Sequence, residues 1–122
     1  SPMVRREGEY RRERRSQYRG APGEVLVGHL LTPEGYFHKG RLFARCTLQP
    51  GSGVGYHEHH GEMESFYILS GQAQVTDEKG NCCLVGPGDT LVTSSGEGHS
   101  ILAVGEVPLV YLAVILFQHD PA

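Results

Sequence analysis

From residue 24 onward, apolar and polar side chains alternate in short runs broken by Gly, Pro, Asn and Asp, while the 3.6-residue period of a helix is nearly absent. Leu42, Ala44, Cys46 and Leu48, for example, recur every second residue and would all face one way on a strand. This pattern predicts strands near 24–31, 41–48, 54–59, 64–70, 72–77, 81–85, 89–94, 98–104 and 108–117. Gln49-Pro-Gly-Ser-Gly53, Asp77-Glu-Lys-Gly-Asn81 and Gly86-Pro-Gly88 supply turns between them, and Gly20-Ala-Pro-Gly23 marks the entry to the first. Short strands at such intervals predict an all-β sandwich or barrel.

Composition narrows the class. The 122 residues suffice for one core. No apolar run reaches the roughly 20 residues of a membrane span, and nothing resembles a signal peptide, so a soluble, cytoplasmic protein is expected, with no membrane partner. Three cysteines, two adjacent at Cys82 and Cys83, give neither an even disulfide framework nor zinc-finger spacing, and read as reduced strand residues. Ser1-Pro2 ahead of Met3 reads as an expression scar.

Charge is segregated. Residues 4–19 hold seven arginines against three glutamates, net +4, whereas the rest of the chain nets −7. The expected organisation is an N-terminal arm over 1–20, a barrel over 21–118 and a tail over 119–122. The arm reads as a short helix from Glu7 to Tyr18, anchored by Tyr10 and Tyr18 and folded on its own acidic body or on a partner subunit. Nucleic acid is disfavoured, because the body would repel phosphate.

Chemistry concentrates in Gly51–Gly71. His57 and His59, two apart, leave an extended strand on the same face, and Glu58 and His60 leave on the other. After a turn over His60 to Met63, the β-prone run from Glu64 to Ser70 would return antiparallel and set Glu64 opposite the histidines, with Glu62 in the turn as a rival. Two imidazoles and a carboxylate with open positions suit Fe(II) and, with one more ligand, Mn(II), Ni(II) or Zn(II). His99 is the candidate fourth ligand.

These residues resemble the cupins. The first cupin motif, Gly, five residues, His-x-His, three or four residues, Glu, six residues, Gly, is met by Gly51, His57, His59, Glu64 and Gly71, and this spacing selects Glu64 over Glu62. The second motif, Gly, five residues, Pro-x-Gly, two residues, His, three residues, Asn, is matched by Gly88, Gly96 and His99, while Ser94 and Ala103 replace the proline and asparagine. The resemblance covers roughly residues 24–117. It implies a double-stranded β-helix, or jelly-roll barrel, carrying one divalent transition metal (Mn, Fe, Ni or Zn) on His57, His59, Glu64 and His99, and commonly a homodimer.

Strand parity would place Gly55, Phe66 and Ile68 on the metal face, Ile101 and Ala103 beside His99, and Arg41 and Arg45 outward or at the rim. Oxalate-decarboxylase-like cupins typically carry an arginine three residues before the first ligand histidine; Val54 stands there, which weighs against oxalate. The leading expectation is a metal-dependent enzyme on a small oxygenated molecule, a carboxylate, sugar or diketone, with no catalytic side chain assigned. The alternative is a non-catalytic ligand-binding or sensor module with a structural metal.

Overall fold

The structure is a computed structural model that describes residues 3–119; the expectations at Ser1-Pro2 and for the last three residues of the tail lie outside that span. Ten strands are present among the described residues: β1 (Arg11–Ser16), β2 (Glu24–His29), β3 (Gly40–Leu48), β4 (Gly53–Glu58), β5 (Glu62–Ser70), β6 (Gln72–Asp77), β7 (Cys82–Val85), β8 (Thr90–Thr93), β9 (Gly98–Val104) and β10 (Leu109–Phe117). They form a six-stranded sheet, ordered β1-β2-β3-β10-β5-β8, and a four-stranded sheet, ordered β4-β9-β6-β7, with every pairing antiparallel. This is the double-stranded β-helix that the alternation and the two motifs predict. No described helix is long and apolar enough to cross a membrane.

Alternation fills the space between the sheets. Val25 and Val27 of β2, Ala44, Cys46 and Leu48 of β3, Phe66 and Ile68 of β5, and Leu109, Tyr111, Ala113 and Ile115 of β10 are buried, facing Val54, Ala73, Ile101 and Ala103 of the smaller sheet. Each large apolar side chain buried in this way contributes about 1.5–3 kcal/mol. At the head of β10, Gly71 (φ +79°) turns the chain from β5 into β6, and a Cβ there would overlap the Pro108 carbonyl. Glycine is the residue that fits both conditions.

The arm corrects its expected form. In place of a helix from Glu7 to Tyr18, residues 11–16 form β1, which pairs with β2 from Arg11 opposite His29 to Ser16 opposite Glu24. The reason is visible in its side-chain contacts: as a strand, β1 sends Arg12 to the Glu7 carbonyl and Arg14 to Glu24 on one side and sets Arg15 against Glu13 on the other. Edge pairing to β2 satisfies the backbone that a helix would have satisfied internally. Glu7, in a short 3₁₀ turn before β1, also reaches Arg45 at 2.8 Å, so the arm is laid on its own subunit.

Three register shifts interrupt the described ladders, and two of them bear on the site. Val54 pairs with Ile101 and His57 with His99, so β4 spends one residue more than β9 between these pairs. The extra residue returns Val54 to the inner face with His57, whereas Gly55, expected there, belongs to the bulge. A second shift, between Ile115 and Leu116 of β10, places Arg41 in the interval between Leu42 and Gly40 of β3, where it joins the rim of the inner cavity.

Candidate metal centre

His57 is the penultimate residue of β4, His59 lies just past its end, Glu64 lies on β5 and His99 on β9, so the four come from both sheets and meet inside. One donor atom from each lies within 4.8 Å of the others. The Nε2 atoms of His59, His99 and His57 stand 3.0, 3.1 and 4.0 Å from Glu64 Oε1, and the three imidazole rings meet edge to face. His59, Glu64 and His99 are buried.

The outer nitrogens explain how the rings are set. His57 Nδ1 lies 2.8 Å from the Gly55 carbonyl, His59 Nδ1 lies 2.6 Å from Glu62 Oε2, and His99 Nδ1 lies 2.6 Å from the Thr93 hydroxyl. With a proton on each Nδ1, all three rings donate outward and present an Nε2 lone pair inward. The inward Nε2 atoms of His59 and His99 are buried without a hydrogen-bond partner. Such orphaned acceptors are costly, and a cation would satisfy both at once. Three imidazoles and one carboxylate are a donor set that divalent transition metals accept, with room for further ligands. When bound, the metal would supply Lewis acidity and positions for ligand oxygens.

The electrostatics agree with such a cation. In the metal-free site burial pushes the Glu64 carboxyl up, but His59 and His99, with a proton in place of the metal on the inward side, outweigh it and hold it at about 2, so the carboxylate is ionised. Burial lowers His57, which keeps its imidazole neutral. The Glu64 carboxylate raises His59, with burial opposing and Glu62 adding to the rise, so a metal ion would displace a proton there.

Glu62 is not a turn residue but the first of β5. It holds His59 on one side and takes two bonds from Arg41 on the other, at 2.9 Å from Nε and 2.7 Å from a terminal nitrogen. Thr93, its counterpart on His99, went unnoticed in the sequence because a threonine on a strand carries no chemical signal by itself. His60 reaches only Glu58 and is exposed, and neither His29 nor His38 joins the cluster. The replaced proline of the second motif is absorbed locally: Ser94 N bonds Glu97 Oε1, Glu97 N bonds the Ser94 carbonyl, and Gly96 N bonds the His59 carbonyl at 2.7 Å. Ala103, in place of the asparagine, is buried in the core.

A cavity of about 80 Å³ opens beside the cluster. His57, His59 and Glu64 line it together with an apolar set, Cys46, Val54, Phe66, Tyr111 and Ala113, and with Arg15, Arg19, Arg41 and Tyr18. Burial raises Cys46 to about 12 and Tyr111 well above its ordinary value, so neither ionises near neutrality. Tyr18 carries Arg15 at 5.0 Å and Arg19 at 5.5 Å from its ring centroid. Both arginines and Tyr18 belong to the arm, which sequence reasoning kept apart from the site. Their available signal was the alternation Arg11, Glu13, Arg15 ahead of a turn-rich stretch.

Fold and site together define a jelly-roll barrel with a histidine-rich centre between its sheets. The family described as Cupin domain (Cupin_2) matches residues 44–115, and the chain belongs to the cupins. An oxalate-binding protein of Thermotoga maritima is 47% identical over 114 residues, spanning 93% of this chain and 93% of that protein. A crystal structure from the same organism, described as a predicted oxalate decarboxylase, superposes with a TM-score of 0.89 at 47% identity, over 94% of this chain and 99% of that one. An uncharacterised double-stranded β-helix protein of Klebsiella pneumoniae shares the fold, with a TM-score of 0.72 at 17% identity over 99% and 95% of the two chains.

Proposed function

We propose that this protein holds one divalent transition metal ion on His57, His59, Glu64 and His99 and uses it to bind a small carboxylate of about the size of oxalate. The observation that carries this reading is the pair of buried, unpartnered Nε2 atoms converging on an ionised carboxylate in the wall of an arginine-lined cavity. The cavity is small, about 80 Å³, and a short carboxylate is a ligand of matching scale. The oxalate-binding relative points to the same chemistry.

Binding is favoured over catalysis because a proton-transfer group suited to neutral pH is missing from the described cavity wall. Cys46 and Tyr111 are held protonated by burial, Glu64 is ionised and faces the metal position, and Glu62 is tied to both Arg41 and His59. We also propose a homodimer, formed through the outer face of the six-stranded sheet, where Tyr67, Leu69, Val92 and Leu116 are exposed.

Elemental analysis of protein never exposed to chelator should find close to one transition ion per chain, and His99→Ala should lose it. Calorimetric titration with oxalate should give heat with the loaded protein and none after chelation, and prolonged incubation should leave the oxalate intact. Absence of bound metal, together with no rise in melting temperature on adding Mn, Fe, Ni or Zn, would sink the metal assignment. Formate or CO2 released at a rate that scales with protein would replace the binding role by an enzymatic one.

A further inference from the structure

We propose that Arg19, delivered from the arm, is the residue that recognises the distal carboxylate of the ligand, so that the site selects short dicarboxylates over monocarboxylates. The proposal rests on the carboxylate-binding reading above. Three guanidinium groups line the cavity, and two are already engaged: Arg15 with Glu13, and Arg41 with both oxygens of Glu62. Arg19 pairs with no carboxylate among the described residues; its guanidinium lies over the face of Tyr18. A guanidinium without an acid partner, exposed at the margin of the protein and lining the same small cavity as the metal cluster, has the donor geometry to take two carboxylate oxygens side by side.

The backbone shows that Arg19 is held in place. Its φ of +56° and ψ of 28° lie in the left-handed region, as does Gln17 at φ +47°, a conformation that non-glycine residues seldom adopt. Strain of this kind persists only where the surroundings enforce it. Here Gln17 N bonds the Gly23 carbonyl, Gly20 N bonds the Gln17 carbonyl and Gly53 N bonds the Pro22 carbonyl, at 2.8, 3.0 and 3.0 Å. Gly55 completes the seat, since any Cβ at that position would run into the Arg19 carbonyl group. The bulge that turns Val54 inward therefore also sets Gly55 under Arg19.

A dicarboxylate could meet the metal with one end and Arg19 with the other, whereas a monocarboxylate can satisfy only the metal. The test is calorimetric titration of the Mn-loaded full chain with oxalate and, separately, formate. Arg19→Gln should weaken oxalate by roughly 10- to 100-fold, the scale of a hydrogen bond to a charged group, with formate affinity and Mn content unchanged. Arg19→Lys should retain part of the affinity, because it keeps charge without the fork. Arg19→Gly should lose oxalate equally while melting no lower than the wild type, since glycine accepts the left-handed backbone. Arg14→Gln, an outward arginine paired with Glu24, should bind like the wild type. Oxalate affinity unchanged in both Arg19→Gln and Arg19→Gly, or Mn lost together with oxalate, overturns the role of Arg19. Wild-type protein that keeps Mn and binds neither anion overturns the underlying carboxylate reading instead.

Discussion

Glu62 links the metal centre to the cavity rim, and its removal gives a quantitative test of how the site is built. Its side chain is 12% exposed and serves two partners, the His59 imidazole at 2.6 Å and the Arg41 guanidinium through two bonds. His59 is 1% exposed, so no water can readily take over as acceptor for its Nδ1 proton. Arg41, at 47%, can be solvated. Glu62→Ala should therefore cost more at the metal than at Arg41. Partners of this kind behind a metal-bound imidazole typically sustain about 10- to 100-fold of affinity, or roughly 1.4–2.8 kcal/mol. Titration of the chelator-treated protein with Mn(II) or Co(II) should show a loss of that size in Glu62→Ala. A smaller loss is expected in Glu62→Gln, which keeps one acceptor oxygen but surrenders the bidentate grip of Arg41, and in Arg41→Ala, which leaves the carboxylate on His59. If Glu62→Ala binds both metals with wild-type affinity, the orientation of His59 does not depend on this pair and the reasoning fails.

Two further expectations concern stability and assembly. The Cys46 thiol has a folded-state pKa of about 12 because it is buried, above the ordinary value of 9, so its contribution is complete below pH 9 and is lost as the pH rises toward 12, by at most about 4 kcal/mol; Tyr111 acts in the same direction. The urea midpoint should fall above pH 9 and fall less in Cys46→Ala, and an equal fall in both proteins would contradict this account. Light scattering at micromolar concentration should find a dimer that Leu69→Lys converts to monomer, since Leu69 is 42% exposed on the outer sheet face; a dimer indifferent to that charge would locate the interface elsewhere, and a wild-type monomer would end the proposal.

What could be read from the sequence follows from how each feature is encoded. Most of the strands from β2 to β10 announce themselves because they bury one face, and burial leaves a period of two in Val25 and Val27, in Ala44, Cys46 and Leu48, and in Phe66 and Ile68; β7, with Cys82, Cys83 and Leu84 exposed, is marked instead by the turns on either side of it. The four residues of the cluster were equally visible, because histidine and glutamate at those spacings have few structural reasons to recur. Strand β1 was not visible, because both of its faces are charged and alternation of arginine with glutamate leaves no hydrophobic trace. Its strand state is decided by β2 and by Glu24 across the ladder. A helix from Glu7 to Tyr18 satisfied the same local preferences.

The bulges were hidden for a related reason: one inserted residue is defined only against the partner strand, and nothing in the stretch Val54-Gly-Tyr-His57 says that Ser100 will be passed by two residues of β4 instead of one. From that single shift follow the inward Val54 and the seat for Arg19. The absence of an arginine three residues before His57 weighed against oxalate only on the assumption that a cation must come from the ligand strand. A barrel relaxes that assumption, because any segment crossing the mouth can supply the charge. Arg15 and Arg19 come from the arm and Arg41 from β3, so the metal cluster lies within the motif-bearing core while every cavity arginine lies before residue 44, outside the matched region. In this fold the motif can therefore identify the metal chemistry while leaving the ligand to be chosen by residues that no motif spacing contains.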